Sequence, residues 1–203
     1  MKKQNWKPGN MLYPVPVVMV SCARPGETPN IITIAWAGTV CSDPPMVSIS
    51  VRKERYSHAI IQETHEFVIN LTTSPLVRAA DFCGVRSGRD VDKYAETGLT
   101  PHASKKVLCP GIAESPVNIE CRVTQQLCLG SHDLFLATVE SVAVEEALLD
   151  EAGSLRLDRA GLAAYSHGSY MELGRTLGSF GFSVKKKTAK KRADSRPGQK
   201  QRK

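Results

Sequence analysis

NIITIAWAGTVCSDPPMVSISVRKERYSH, residues 30–58, carries the pattern on which the fold turns. In its second half Val47, Ile49 and Val51 alternate with Ser48, Ser50 and Arg52, so a strand with one apolar and one polar face is expected. Pro44 and Pro45 do not sit inside a central strand and so set its start, with Ser42 and Asp43 supplying turn chemistry. Beyond a turn at Lys53 and Glu54, Ser57 precedes Ala59, Ile60, Ile61 and Glu63, which predicts a short helix with Ser57 as its N-cap. Free N–H groups and a partial positive charge at such a helix start, beside Arg52 and Arg55, suit a phosphate without any glycine-rich loop. The same residues also fit an ordinary capped helix carrying two solvated arginines.

The first half of the stretch adds a second requirement. Thr33, Trp36, Gly38 and Thr39 are interleaved with Ile31, Ile32, Ile34 and Ala35, so a strand-forming segment carries small residues where a backbone approaches a flat ring closely. A flavin asks for such access: its dimethylbenzene side wants apolar or aromatic contact, and its pyrimidine edge wants backbone donors and acceptors. A packed core position is the alternative for Trp36.

Taken with SGRDVDKY at 87–94 and LGRTLGSFGFSV at 173–184, the segments NIITIAWAGT at 30–39, SDPPMVSISVR at 42–52 and RYSHAI at 55–60 make the chain resemble the flavin reductase-like, FMN-binding split-barrel family, in its flavoredoxin-like branch. The resemblance implies a mainly β fold with short helices, a six-stranded split barrel of Greek-key type. It implies a homodimer with FMN near the subunit interface. Asn30, Thr33, Ile34, Ala35, Trp36, Gly38 and Thr39 would then lie along the ring and ribityl chain. Ser50, Val51, Arg52, Arg55, Tyr56 and Ser57 would surround the phosphate. The loop with Ser87, Arg89, Asp90 and Lys93 would close over the cofactor, Arg89 and Lys93 meeting an anion or a flavin carbonyl. Without the resemblance, SGRDVDKY is a polar loop entering a short helix that stops at Gly98.

With 41% hydrophobic residues, the 203-residue chain has enough apolar material for a sizeable core, and one domain over residues 1–184 is expected. The formal charge of +7 is unevenly spread: ten of the 27 Lys and Arg and one of the 20 Asp and Glu lie from Lys185 onward, so the body carries −2 and the tail +9. Residues 185–203, without apolar periodicity, are expected to be a disordered polybasic tail. Such a tail suits nucleic acid or an anionic surface without reading sequence, and no aromatic residue interleaves with its charges for base stacking. The apolar N-terminal run is only Val17–Val20 after Pro14 and Pro16, which predicts neither a signal segment nor a membrane span. Six cysteines without CxxC pairing point to reduced thiols in a cytoplasmic protein, and the scattered histidines show no metal spacing.

Further along, FVINL at 67–71 predicts a strand, and Ser74-Pro75 starts a helix expected to stop at Gly84. Val117–Leu129 and Ser131–Glu145 predict a long hairpin turning at Gly130, and Gly161–Tyr165 a last short strand. His167, just after it, is the candidate catalytic residue, orienting substrate or relaying a proton, with a loop histidine of no role as the alternative. Gly174, Gly178 and Gly181 lack the spacing of a dinucleotide fingerprint, so NADH or NADPH would dock only transiently. An FMN-dependent oxidoreductase is the leading expectation, drawing electrons from a reduced nicotinamide nucleotide or a redox partner protein. An FMN-binding electron carrier and a tail-driven nucleic-acid-associated protein are the other two.

Overall fold

The computed structural model describes residues 1–184; the tail at 185–203, expected to be disordered and basic, lies outside the described residues. The chain divides after Leu173. In the second unit the described residues include a single-turn 3₁₀ helix, Phe182–Val184.

The strands are β1 (Val15–Pro16), β2 (Val18–Cys22), β3 (Asn30–Ile34), β4 (Ala37–Ser42), β5 (Pro45–Arg52), β6 (Glu66–Leu71), β7 (Pro101–His102), β8 (Gly111–Ile112), β9 (Val117–Cys128), β10 (His132–Val144), β11 (Ala163–Ser166) and β12 (Ser169–Glu172). Three short helices, α1 (Tyr56–Thr64), α2 (Val77–Val85) and α3 (Lys93–Thr97), complete a mainly β fold. Seven strands form one antiparallel sheet in the order β3-β2-β6-β9-β10-β5-β4. Its two edge strands, β3 and β4, are separated in the chain only by Ala35 and Trp36. The two edges are therefore held together, and the sheet rolls into the expected split barrel. The strand count exceeds six because the run 30–39 breaks at Ala35 and Trp36, where Ser50 N donates to Trp36 O at 2.9 Å.

The period-2 pattern decides which side chains fill the interior. Val47, Ile49 and Val51 of β5 join Val18, Val20, Cys22, Ile32, Ile34, Phe67 and Phe135 there, with Ile60 and Ile61 contributed by α1. The opposite faces of β2 and β3 are covered as well: Met19 and Ile31 pack with Leu76, Ala80 and Cys83 of the α2 region and Tyr94 of α3. Burial on both faces explains why VMVSC and NIITI lack polar alternation. In the long β9–β10 hairpin, irregularities between Leu136 and Ala137 and between Val139 and Ser141 shift the register, which accounts for the imperfect alternation of those strands. Among the described residues no helix is long and apolar enough to cross a membrane.

Three local expectations are corrected. Arg55, not Ser57, is the N-cap of α1, and Ser57 sits inside the first turn with its hydroxyl accepting from Asn30 Nδ2 at 2.7 Å. Helix α2 runs through Gly84 to Val85, because a side chain at 84 would press on Thr33, its added Cβ lying 3.3 Å from Thr33 Cβ. The strand expected at Gly161–Tyr165 is present as β11, but it is not the last: β12 returns on it as a hairpin, and β1 pairs with the other edge of β11.

The two faces of β5 differ in what they contribute. Ile49→Ala is expected to cost about 2–5 kcal/mol in chemical denaturation, whereas Ser48→Ala is expected to stay within about 0.5 kcal/mol. Equal losses would contradict the assignment of faces.

Candidate functional site

The split leaves a cleft of about 370 Å³ beside the β3–β4 break. Ile32, Thr33, Ile34, Ala35 and Trp36 form one wall, Ser50, Val51 and Arg52 the floor, and Tyr165, Gly168 and Tyr170 of the β11–β12 hairpin face them. Trp36 is half exposed and stacks on His132, ring centroids 6.3 Å apart. The α2 side of the cleft is Asp81, Gly84 and Val85, with Thr33 Oγ1 donating to Ala80 O and Tyr170 Oη to Asp81 Oδ1 at 3.0 Å. Burial, reinforced by Asp81, pushes the Tyr170 hydroxyl up to about 12, so it remains protonated and a donor. Apolar and aromatic side chains alternate with polar ones around the cleft, and Ile32, Ile34, Trp36, Tyr165 and Tyr170 suit a planar group.

Ile32 and Arg55 also line an adjoining pocket of about 250 Å³ with a different character. Arg55, Arg86, Arg89 and Lys93 enter it against a single carboxylate, Glu54. It contains the start of α1, Tyr56 and Ser57, and no side chain caps that helix. First-turn N–H groups are therefore left for an incoming anion. Arg89 lies over the Tyr56 ring, 5.5 Å from its centroid, and Nη1 donates to Glu54 O at 3.3 Å. Gly88 is required by close packing here: a Cβ would fall 2.1 Å from Asn30 Oδ1 and 2.9 Å from Tyr56 Cδ1.

Lys93 is the deepest cation, 3% exposed, and its Nζ donates to Ile31 O at 2.6 Å and Cys83 O at 2.8 Å. An ammonium has three donors, so one remains for the pocket it lines. Desolvation pulls its pKa down from 10.5 to about 8.

Most of the residues expected from sequence meet in these two spaces. Thr33, Ile34, Ala35, Trp36, Ser50, Val51, Arg52 and Arg55 line the cleft, and Asn30, Tyr56, Ser57, Ser87, Arg89 and Lys93 join Arg55 in the cationic pocket. Gly38 and Thr39 lie instead along a groove with Met11, Leu12 and Tyr13, which also touches Trp36 and Ser50. Asp90 lies in a shallower groove with Glu27 and Asp92. His167 does not line the cleft: at φ 47° in the β11–β12 turn, it packs edge-on against Tyr13 with centroids 5.7 Å apart. The hairpin's contribution to the wall is Tyr165, Gly168 and Tyr170. Sequence reasoning missed Asp81, His132 and both tyrosines; His132 joins the site because β10 sets it opposite Arg52, a register that no local pattern reveals. Among the described residues no cluster of three or more His, Cys, Asp or Glu is placed to hold a metal ion.

The depressed Lys93 pKa has a signed consequence. The unfolded chain binds more protons than the native one between about pH 8 and 10.5, so this residue's contribution to stability improves as pH rises through that window. Denaturant titrations should show the native chain gaining up to about 3 kcal/mol relative to Lys93→Met across it; a pH-independent difference would contradict the depressed pKa.

Comparison with known proteins follows the same outline. The protein-family description "Flavin reductase like domain" matches residues 10–174. The structure superposes on the flavoredoxin of Desulfovibrio vulgaris (Miyazaki F) with a TM-score of 0.84 and 30% identity, covering 91% of this chain and 100% of that one. An FMN-binding protein from Thermus thermophilus aligns with a TM-score of 0.73 and 26% identity, over 88% of this chain and 98% of that one. An uncharacterized protein of Archaeoglobus fulgidus is 32% identical over 139 residues, 68% of this chain and 77% of the relative. By its strand order, its cleft and a match spanning residues 10–174, the chain belongs to the flavin reductase like domain family.

Proposed function

We propose that the cleft holds FMN and that the chain works as a homodimeric FMN-dependent oxidoreductase. It would take electrons from a reduced nicotinamide nucleotide or a protein donor and deliver them to a flavin, an iron complex or a protein acceptor. The observation that carries this reading is the junction at Ile32 and Arg55, where an aromatic-walled cleft opens onto a pocket of four cations at an uncapped helix start. A planar ring with a phosphate on a flexible arm matches that junction in shape and in charge. The donor set fits: three guanidinium groups and one ammonium offer charge-assisted hydrogen bonds to phosphate oxygens.

Bound FMN supplies the electron chemistry, and the protein's part is position, hydrogen bonding and exclusion of water. Arg55 stands at the boundary of the two spaces and ties the phosphate arm to the ring end. Tyr165 and Tyr170 cover the far side of the cleft and leave a transient aromatic ligand a surface to stack on. The named properties of the flavoredoxin and of the FMN-binding relative support the choice of FMN. The second copy is proposed to cover the β4 edge, where Trp36 and Val40 are exposed beside Met11 and Leu12.

Titration of the purified chain with FMN, followed by anaerobic addition of NADH or NADPH, tests the activity: a bound yellow chromophore bleached by a nucleotide is expected, and failure to take up FMN would reject the reading. Arg55→Ala should weaken FMN by about 10-fold or more while changing riboflavin, which lacks phosphate, by less than about twofold. Equal losses for both ligands would contradict the phosphate assignment. Sedimentation analysis should give the mass of two chains, and a monomer at micromolar concentration would contradict the pairing.

A further inference from the structure

The cleft has one firmly mounted side and one lightly held side. On the first, α2 buries Ala80 and Cys83 against Met19 and Ile31, and Thr33 Oγ1 donates to Ala80 O. On the second, the β11–β12 hairpin belongs to a separate three-stranded sheet in the order β1-β11-β12. Strand β11 lies in its middle, pairs with β1 at Val15 and Pro16, and is tied to the body where Ala163 N donates to Thr72 O at 2.9 Å. Strand β12 is the outer edge, paired with β11 alone, and its Ser169, Met171 and Glu172 are exposed. An edge strand with so little buried surface is drawn from the least stable part of a fold.

Tyr170 is the residue of β12 that lines the cleft. Its ring meets that of Tyr165 edge-on, centroids 5.7 Å apart, and Tyr165 in turn leans on Tyr13 at 6.1 Å. Its hydroxyl donates to Asp81 Oδ1 of α2 at 3.0 Å, and among the described residues this is the side-chain hydrogen bond that carries β12 across to the mounted side. The bond spans a cleft of about 370 Å³, at the small end of ligand pockets. A flat ring laid against the tyrosines, or on a ring already bound, suits such a slot, whereas an octahedral metal complex does not.

Resting on the assignment of FMN to the cleft, we propose that the Asp81–Tyr170 bond sets the width of the cleft mouth and so restricts the electron acceptor to flat aromatic molecules, quinones or free flavins, rather than bulky ferric chelates. A flat acceptor slides in edge first with the bond intact. A chelate reaches the bound ring only when the bond opens and β12 swings away from α2, so its rate follows the population of the opened hairpin. Either acceptor returns the reduced cofactor to its oxidised form. One quinone takes two electrons and two protons and becomes the hydroquinone, whereas two ferric chelates take one electron each and become ferrous, the protons going to solvent.

Two measurements on the full-length protein test the proposal, folding of each variant being checked by circular dichroism. In the ligand-free chain, hydrogen–deuterium exchange of the β12 amides should quicken about 10-fold in Tyr170→Phe and in Asp81→Ala, but not in Asp81→Asn, whose amide oxygen still accepts from Tyr170. In the FMN-loaded protein reduced anaerobically with dithionite, the rate of reoxidation by ferric EDTA relative to that by menadione should rise about 10-fold in the same two variants and return to the native ratio in Asp81→Asn. Unchanged β12 exchange in Tyr170→Phe, a rate ratio that it does not move, or Asp81→Asn behaving as Asp81→Ala would overturn the proposal. Failure of the native chain to take up FMN, read separately by titration, would overturn the flavin assignment and the acceptor class with it.

Discussion

Two residues, Ala35 and Trp36, carry the chain from one edge of a seven-stranded antiparallel sheet to the other, and the rest of the architecture depends on that short step. A sheet whose first and last strands are consecutive in sequence has no flat solution. It must roll until its edges meet, and twist makes the rolled form accessible. Because the backbone turns aside at Ala35 and Trp36 instead of continuing the ladder, the meeting of the edges is incomplete. The gap is the cleft. The fold therefore produces its candidate site as a by-product of its own closure, with Ser50 N on Trp36 O fixing the break.

Around the gap, two kinds of chemistry are kept apart. The cleft draws on strand backbone, Trp36 and the tyrosines of the β11–β12 hairpin, whereas the neighbouring pocket draws on the start of α1 and the 86–93 segment. Neither compartment alone distinguishes a flavin nucleotide from other ligands. On the proposed reading their junction at Arg55 would do so, because an anion receptor there stands at the end of a ring-sized slot. Lys93 illustrates the cost of such a receptor: a buried ammonium is held by two backbone carbonyls, and its depressed pKa records the desolvation that an incoming phosphate would partly relieve.

What the sequence disclosed was what local patterns encode. The alternation in β5, the Ser-Asp-Pro-Pro turn before it, the long hairpin at Gly130 and the glycine stop of α3 all follow from period, turn chemistry and backbone freedom. Errors arose where a tertiary partner outbid a local preference. Ser57 has the composition of a cap, yet its hydroxyl is taken by Asn30 from 27 residues away. Gly84 resembles a helix stop, yet it sits within α2 because Thr33 packs there. Asp81, His132, Tyr165 and Tyr170 reach the cleft only through strand order and register, which no window of sequence contains. Most of the residues named on resemblance converge, and those that stand aside, Gly38, Thr39, Asp90 and His167, belong to neighbouring surfaces.

FMN binding by this fold requires a ring in the gap and a phosphate at the helix start. A crystal structure of the protein grown with excess FMN addresses it most directly. Density for the ring is expected between the Ile32–Trp36 wall and Tyr165, with the phosphate within hydrogen-bond reach of Arg55 and Lys93. Density for FMN in another groove, or a cleft left empty at saturating ligand, would contradict it.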